Sequence, residues 1–337
     1  MEERYELYNE DCLRILKNVP DKSVNLVLID PPYNIGKDKW DKWDTVEDYV
    51  NFMGEVFKEC QRVLKDNGSF YFFHNDFLQI VELQNYINKN TNFIFKQLLV
   101  WNKRFNEASN KGFLDGFIKV EKLRNYQKMT EYCLYYTFQD ETGLSKVMVK
   151  DNFLKVSEKI RTYIENNFSR DYIVELFLNE GRYTSLASAK VHAAYKMGWS
   201  KGRRFDLMDE KMFNYLNTYV SFPFTYEELR QEYEELREEY ESLRYTFNNL
   251  KEHHSVMNYE IAKKQGHITP KPVDLLEYII KTSSNEGDIV LDCFMGSGST
   301  GVAALNLNRK FIGMELDKKY FDIAKNRIEE GLNKVAG

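Results

Sequence analysis

The chain has 337 residues, 43% of them hydrophobic and 29% charged, which is enough for one large domain with an insertion or for two domains. Its net charge of -5 excludes a uniformly basic nucleic-acid binder, so any such surface must be local. Cys12, Cys60, Cys133 and Cys293 form no CxxC pair, against a disulfide framework or zinc site, and no apolar run approaches the roughly 20 residues of a membrane span.

In chain order, the N-terminus lacks signal-peptide form, and a cytoplasmic setting is expected. Strands are expected at 24–29 (VNLVLI), 69–73 (SFYFF), 93–100 and 131–137 (EYCLYYT). Between the first two, Val46, Tyr49, Val50, Met53, Val56, Phe57, Cys60, Val63 and Leu64 keep one helix face apolar, and Gly68 is a stop. That makes a βαβ unit. The last 70 or so residues repeat the alternation: VDLLEYIIKTS helical, DIVLD a strand, GSGSTGVAALNLN opening a helix, KFIGMEL a strand, and KKYFDIAKNRIEEGL an amphipathic helix.

The middle, roughly 140–260, is helical and divided by charge. Residues 150–204 carry 11 Lys/Arg against 6 Asp/Glu, whereas 205–254 carry 5 against 12. In the acidic half Tyr226, Leu229, Tyr233, Leu236, Tyr240, Leu243, Phe247 and Leu250 form a heptad seam, either packed within its own domain or dimerising as a coiled coil. His253-His254 lacks a carboxylate or cysteine at ligand spacing, so no metal is expected.

Two stretches carry chemistry. In IDPPY the strand at 24–29 runs into Asp30, Pro31, Pro32 and Tyr33. The prolines fix φ and remove two backbone donors, and Asp30 stands where the C-terminal edge of an open α/β sheet binds ligands. In DCFMGSGSTG, Asp292 ends a strand, Gly296 and Gly298 form a turn into a helix, and Glu315 ends the following strand, where an acid can hold a ribose diol. Gly296, Gly298 and Gly301 also satisfy GxGxxG, so a nicotinamide dinucleotide is a rival ligand; no Walker lysine follows. Asp292 would repel a pyrophosphate but suits a ligand with an ammonium group, such as S-adenosylmethionine. A third stretch, HITPKP, opens a helix after Lys271-Pro272.

IDPPY, HITPKP, DCFMGSGSTG and GMELD, in that order, resemble the beta class of DNA amino-methyltransferases. The likeness covers about residues 4–139 and 264–332. It implies a seven-stranded, Rossmann-like α/β sheet, circularly permuted, with an inserted and mainly helical target-recognition domain. The division is then 1–139 (catalytic half), 140–260 (target recognition) and 261–337 (cofactor half). Site roles follow from the same likeness. Asp30 and the Pro31 carbonyl would accept the two N–H bonds of an exocyclic amine, with Pro32 shaping the turn and Tyr33 stacking on a base flipped from the duplex. Asp292, Phe294, Gly296, Ser297 and Gly298 would line the S-adenosylmethionine site, with Glu315 on the ribose and Asp11 and Cys12 near the adenine. Lys271, like Asp30, would belong to the same pocket.

Double-stranded DNA is then the expected partner, joined by a second copy of the chain and a cognate restriction endonuclease, with no membrane. Two basic stretches could meet the DNA. One is 102–128, with Lys103 and Arg104. The other is 169–204, read as helix, Gly turn and helix with Ser169 and Thr184 as N-caps. There Lys190, Lys196, Lys201, Arg203 and Arg204 would touch phosphates, and Ser185, Ser188 and His192 bases. The expected reaction is methylation of adenine N6, because Asp heads the tetrapeptide; cytosine N4 is the alternative. An RNA or protein-amide methyltransferase, or an inactive DNA-binding homologue, are more distant ones.

Overall fold

Apolar residues on both faces of a strand require a layer of helices on each side, and VNLVLI (Val24–Ile29) is buried on both faces. The computed structural model describes residues 4–36, 41–103, 129–138, 151–200, 205–248, 250, 253–262 and 270–335. The chain divides into two compact units, residues 1–141 with 245–337, and residues 142–244.

Among the described residues, the first unit holds a single sheet of eight strands. They are β1 (Tyr5–Tyr8), β2 (Val24–Ile29), β3 (Leu64–His74), β4 (Ile94–Asn102), β5 (Thr130–Thr137), β6 (Val256–Asn258), β7 (Ile289–Asp292) and β8 (Lys310–Met314). Their spatial order is β1-β8-β7-β2-β3-β5-β4-β6. All pairings are parallel except those of β5, which runs against both β3 and β4. The count is eight where seven strands were expected. Residues 245–260, read from sequence as part of the insertion, lie with this unit, and β6 within them pairs with β4. Three residues of VMN are too short to show a period.

The alternation in β2 separates two cores. Val27 and Ile29 face α1 (Cys12–Leu16), α2 (Val46–Val63) and α3 (Phe77–Asn90), against Tyr49, Phe57, Phe70 and Phe72. Leu26 and Leu28 face α9 (Val273–Ser283), α10 (Ser299–Asn306) and α11 (Lys318–Val335), against Leu275, Ile279, Ala303 and Ile328. Each large apolar side chain buried in these layers contributes about 1.5–3 kcal/mol. Helix starts follow the expected chemistry: the Thr45 hydroxyl accepts from Asp48 N at 3.0 Å, and Asp76 Oδ1 accepts from Gln79 N at 3.0 Å.

Chain direction creates the ligand site. From β2 the chain crosses through α2 to β3 on one side; from β7 it crosses through α10 to β8 on the other. β2 and β7 are neighbours, with Leu26 opposite Val290 and Val27 opposite Leu291. The sheet therefore reverses its winding between them, and a crevice opens beyond their C-terminal ends. Asp30 follows β2 directly and Asp292 ends β7.

The second unit is helical: α4 (Asp151–Asn167), α5 (Arg170–Asn179), α6 (Leu186–Lys196), α7 (Glu210–Val220) and α8 (Tyr226–Leu243). It has its own core, including Ile160, Ile164, Ile173, Phe177, Ala189, Ala193, Phe213 and Leu216. Ser169 caps α5 as expected. The cap of α6 is Ser185 rather than Thr184: its hydroxyl accepts from Ser188 N at 3.2 Å. The heptad seam is resolved into separate packing. Leu229 is buried in this core with Tyr226, Tyr233 and Leu236 against it, α8 stops at Leu243, and Phe247 packs in the first unit near Tyr135. The first half of the seam thus packs within its own unit.

Candidate active site

The crevice is a cavity of about 640 Å³, within the range of small-molecule sites. Its lining unites the two sequence motifs: Asp11, Cys12, Asp30, Pro31, Pro32, Tyr33, Lys271, Asp292, Phe294, Gly296, Ser297 and Glu315 all border it. Gly298 does not; it acts behind the wall. It starts α10 at φ +78°, and a Cβ there would meet Ala324 of α11 at 2.9 Å. Only glycine combines that backbone with that closeness.

At the cofactor end, Asp292 is buried, with Oδ1 accepting from Phe294 N at 3.0 Å. Burial, opposed by hydrogen bonds from Thr300 and the Phe294 amide, lifts its carboxyl to about 7. Among the described residues no cation pairs with it. Glu315 Oε2 accepts from Gly296 N at 2.9 Å and Oε1 from Asp317 N at 2.8 Å, which ties the glycine turn to the end of β8. Each carboxylate oxygen keeps a second lone pair for a hydroxyl. Arg327 of α11 braces the turn from behind, donating to the Ser297 carbonyl at 2.6 Å. Asp11 caps α1, accepting from Leu13 N at 2.9 Å, and Cys12 is buried beside it. A buried, unpaired carboxylate, a ribose-type acid and a cavity of this size suit a ligand carrying both an ammonium and a diol.

At the other end the DPPY turn is clamped by residues that the motif does not contain. Asp41 is buried, and its Oδ1 accepts from Tyr33 N at 2.6 Å and Asn34 N at 2.7 Å. Tyr49 donates to the Pro32 carbonyl at 2.8 Å, and Gln79 Nε2 to the Tyr33 carbonyl at 3.1 Å. His74 lies 3.0 Å from the Tyr49 hydroxyl through Nε2. Its Nδ1 accepts from Asp76 N at 3.0 Å, so the ring is the Nε2–H tautomer and donates to Tyr49. The Pro31 carbonyl, by contrast, has no partner among the described residues.

Asp30 has both oxygens engaged. The Tyr33 hydroxyl donates to Oδ1 at 2.5 Å, and Lys271 Nζ donates to Oδ2 at 2.5 Å. Lys271 also donates to the Tyr33 hydroxyl at 3.1 Å and pairs with Glu131 Oε2 at 3.2 Å. Glu131, on β5, is held in turn by Lys103. Burial disfavours the Lys271 charge, but Asp30 and Glu131 outweigh it and raise its pKa; the two lysines hold Glu131 at about 2 against its own burial.

Two expectations change here. Tyr33 is 4% exposed, with its ring 4.8 Å from His74, so it does not offer a face to a base in this conformation. Lys103, read as a phosphate contact, has its charge committed to Glu131 and its ammonium 4.9 Å from the Trp101 ring. Of the other expected DNA contacts, Lys190 is exposed and Lys196 half-buried on α6, while Arg104, Lys201, Arg203 and Arg204 lie outside the described residues. Ser185 serves as the cap, Ser188 is half-buried, and the His192 ring stacks on Tyr183 at 4.5 Å. Sequence reasoning missed Asp41, Trp43, Phe52 and Glu131. A signal existed for Glu131: it shares the strand face of Cys133 and Tyr135, an acid on an inward period-2 stripe.

Residues 24–326 match the DNA methylase family of N6 and N4 methyltransferases. The chain belongs to that family. It is 28% identical over 328 residues to the type II methyltransferase M1.MboII of Moraxella bovis, covering 96% of this chain and 97% of the relative. It is 28% identical over 324 residues to the DNA adenine methyltransferase YhdJ of Escherichia coli (strain K12), covering 95% and 81%. Two solved structures share the fold: the M1.HpyAVI–SAM complex, with a TM-score of 0.50, 18% identity and coverage of 96% and 98%, and the cytosine-N4-specific PvuII DNA methyltransferase, with 0.53, 13%, and 99% and 93%. The protein is a beta-class DNA amino-methyltransferase whose cofactor is S-adenosylmethionine. Among the described residues no helix is long and apolar enough to cross a membrane.

Proposed function

We propose that this methyltransferase is site-specific and modifies the exocyclic N6 amine of adenine in double-stranded DNA, with the target base turned out of the duplex. The observation that carries the reading is one cavity bordered by Asp30, just after β2, and Asp292, at the end of β7, the neighbouring strands of the switch point. Asp292 would pair the ammonium of the cofactor, Glu315 its ribose hydroxyls, and Asp11, Cys12, Phe294, Gly296 and Ser297 would form the surrounding wall. When bound, the cofactor supplies an electrophilic methyl group on a sulfonium.

The rest is positioning by the chain. The amine of adenine is a poor nucleophile because its lone pair is delocalised into the ring. Asp30 keeps spare lone pairs beyond those used by Tyr33 and Lys271, and the Pro31 carbonyl is open. Two acceptors out of the plane of the base would favour a pyramidal nitrogen with its lone pair toward the methyl group. Pro32 holds the turn through Tyr49. For Tyr33 to stack on the base its ring must leave His74, so base entry and release of the Tyr33–Asp30 hydrogen bond go together.

Asp at the head of the tetrapeptide supports adenine, as does the similarity to a DNA adenine methyltransferase along 95% of the chain. The fold shared with a cytosine-N4 enzyme favours the second reading, which uses the same residues. Lys190 and Lys196 on α6, with the α5–α6 pair as the reading unit, would meet the DNA. A second copy of the chain and a cognate restriction endonuclease are the further partners of this reading. Incubation with S-adenosylmethionine and unmethylated genomic DNA, followed by nucleoside mass spectrometry, tests it. N6-methyladenine supports the reading, N4-methylcytosine replaces the base, and neither product overturns it.

A further inference from the structure

Behind Asp30 lies a line of alternating charge that links two of the sequence motifs to Lys103 and Glu131, which belong to neither: Lys103, Glu131, Lys271 and Asp30. Glu131 and Lys271 are 3% and 6% exposed. An ammonium has three donors; here Lys271 donates to Asp30 Oδ2 and to the Tyr33 hydroxyl, and Glu131 Oε2 stands 3.2 Å away as a second anionic partner. The surrounding walls are aromatic, with Phe73 and Trp101 rings 5.0 and 6.0 Å from the ammonium. No water-like partner replaces a lost acceptor in such a box without cost. The β4–β5 register sets the geometry, placing Glu131 opposite Trp101.

We propose that Glu131 is a positioning residue for methyl transfer, acting through Lys271 on the Asp30 carboxylate. The inference rests on the reading of Asp30 as the acceptor of the target amine. Lys271 has a flexible four-carbon stem, and its position beside Asp30 is determined by what holds the other side of its ammonium. Glu131 supplies that hold and is itself fixed by Lys103. It also shares the Lys271 charge, so that Lys271 and Asp30 are not an isolated ion pair.

The groups facing Lys271 are Asp30 and Tyr33 beyond β2, Glu131 and Cys133 on β5, and Lys103 beyond β4. Without Glu131, Lys271 loses one of two anions that keep it protonated, so the basic limb of the rate must move to lower pH.

The test uses the full chain with Glu131→Gln, the charge-balanced double variant Lys103→Met/Glu131→Gln, and Asp30→Ala as reference. Rates are measured at saturating cofactor across pH, with KM for DNA and Kd for S-adenosylmethionine. Both Glu131 variants should lose about 10- to 100-fold in kcat, keep KM and Kd near wild type, and shift the basic limb downward; Glu131→Asp should recover part of the rate. If Glu131→Gln fails to fold, the double variant, which retains the charge balance, carries the test. A double variant with wild-type kcat and pH profile would overturn the proposal, since Glu131 would then only balance Lys103. An Asp30→Ala enzyme at full rate would instead overturn the reading of Asp30, and this inference with it.

Discussion

Lys271 reaches Asp30 with a 2.5 Å ion pair across 241 positions of chain. It joins the segment that opens α9 to the turn that follows β2, so the DPPY turn is braced by a segment from the C-terminal part of the chain. Lys271→Met would leave Asp30 and Glu131 facing a buried space with no shared cation. Breaking a buried pair in this way costs about 3–5 kcal/mol. Urea unfolding at neutral pH should show a loss of that size; a loss under about 1 kcal/mol would mean that the pair is solvated.

The Asp292 carboxyl sits at about 7 in the folded protein against an ordinary 3.8. Between those values the native state holds a proton that the unfolded chain has lost. The contribution of Asp292 to the stability of the cofactor-free protein therefore falls as pH rises from about 4 to 7 and levels off above 7. Asp292→Asn should remove that part of the slope, measured as the difference between the urea midpoints of the two proteins across this window. An ammonium ligand favours the ionised form, so cofactor affinity should weaken below pH 7. Calorimetry in two buffers of different ionisation enthalpy should record a proton released on binding at pH 6.5.

Gly298→Ala puts a Cβ 2.9 Å from that of Ala324 and 3.0 Å from its Cα, at φ +78°. Neither the helix backbone nor the left-handed turn can yield cheaply, and the left-handed conformation alone costs about 1–2 kcal/mol. The variant should unfold at lower urea and bind S-adenosylmethionine more weakly, since the turn carries Gly296 and Ser297 into the cavity. Unchanged binding would show that the turn adapts.

Lys190 is exposed on α6, whereas the charge of Lys103 is committed to Glu131. Lys190→Ala should lower DNA affinity across sequences and reduce the slope of log K against log salt by about 1. Lys103→Met should leave that slope as it is. Filter-binding titrations at several salt concentrations separate the two, and an unchanged slope for Lys190→Ala would remove α6 from the DNA surface.

What could be read in the sequence was chemistry fixed by short-range order. The DPPY turn, the Gly296–Gly298 turn and the acids Asp292 and Glu315 all lie at strand ends, where a few consecutive residues determine backbone and direction. What could not be read depends on pairing. Glu131 belongs to the site only because β5 runs against β4 and β3; Asp41 only because its stretch folds back under three consecutive amides, from Tyr33, Asn34 and Ile35. Lys103 looked like a surface cation because its counter-charge is 28 positions away. The heptad spacing left open whether the stripe meets its own unit or another chain, and packing in its own unit decides it for Tyr226, Leu229, Tyr233 and Leu236. Thr184 and Ser185 are both cap-type residues, and the hydrogen bond from Ser188 N to the Ser185 hydroxyl decides between them.

In the proposed reaction Asp30 acts on the target amine. Single-turnover transfer of labelled methyl from saturating S-adenosylmethionine to unmethylated DNA, compared for wild type and Asp30→Ala, tests it most directly. The account predicts that the variant still binds the cofactor but transfers methyl at least about 1,000-fold more slowly, a loss of roughly 4 kcal/mol of transition-state stabilisation. Transfer at the wild-type rate by Asp30→Ala would contradict it.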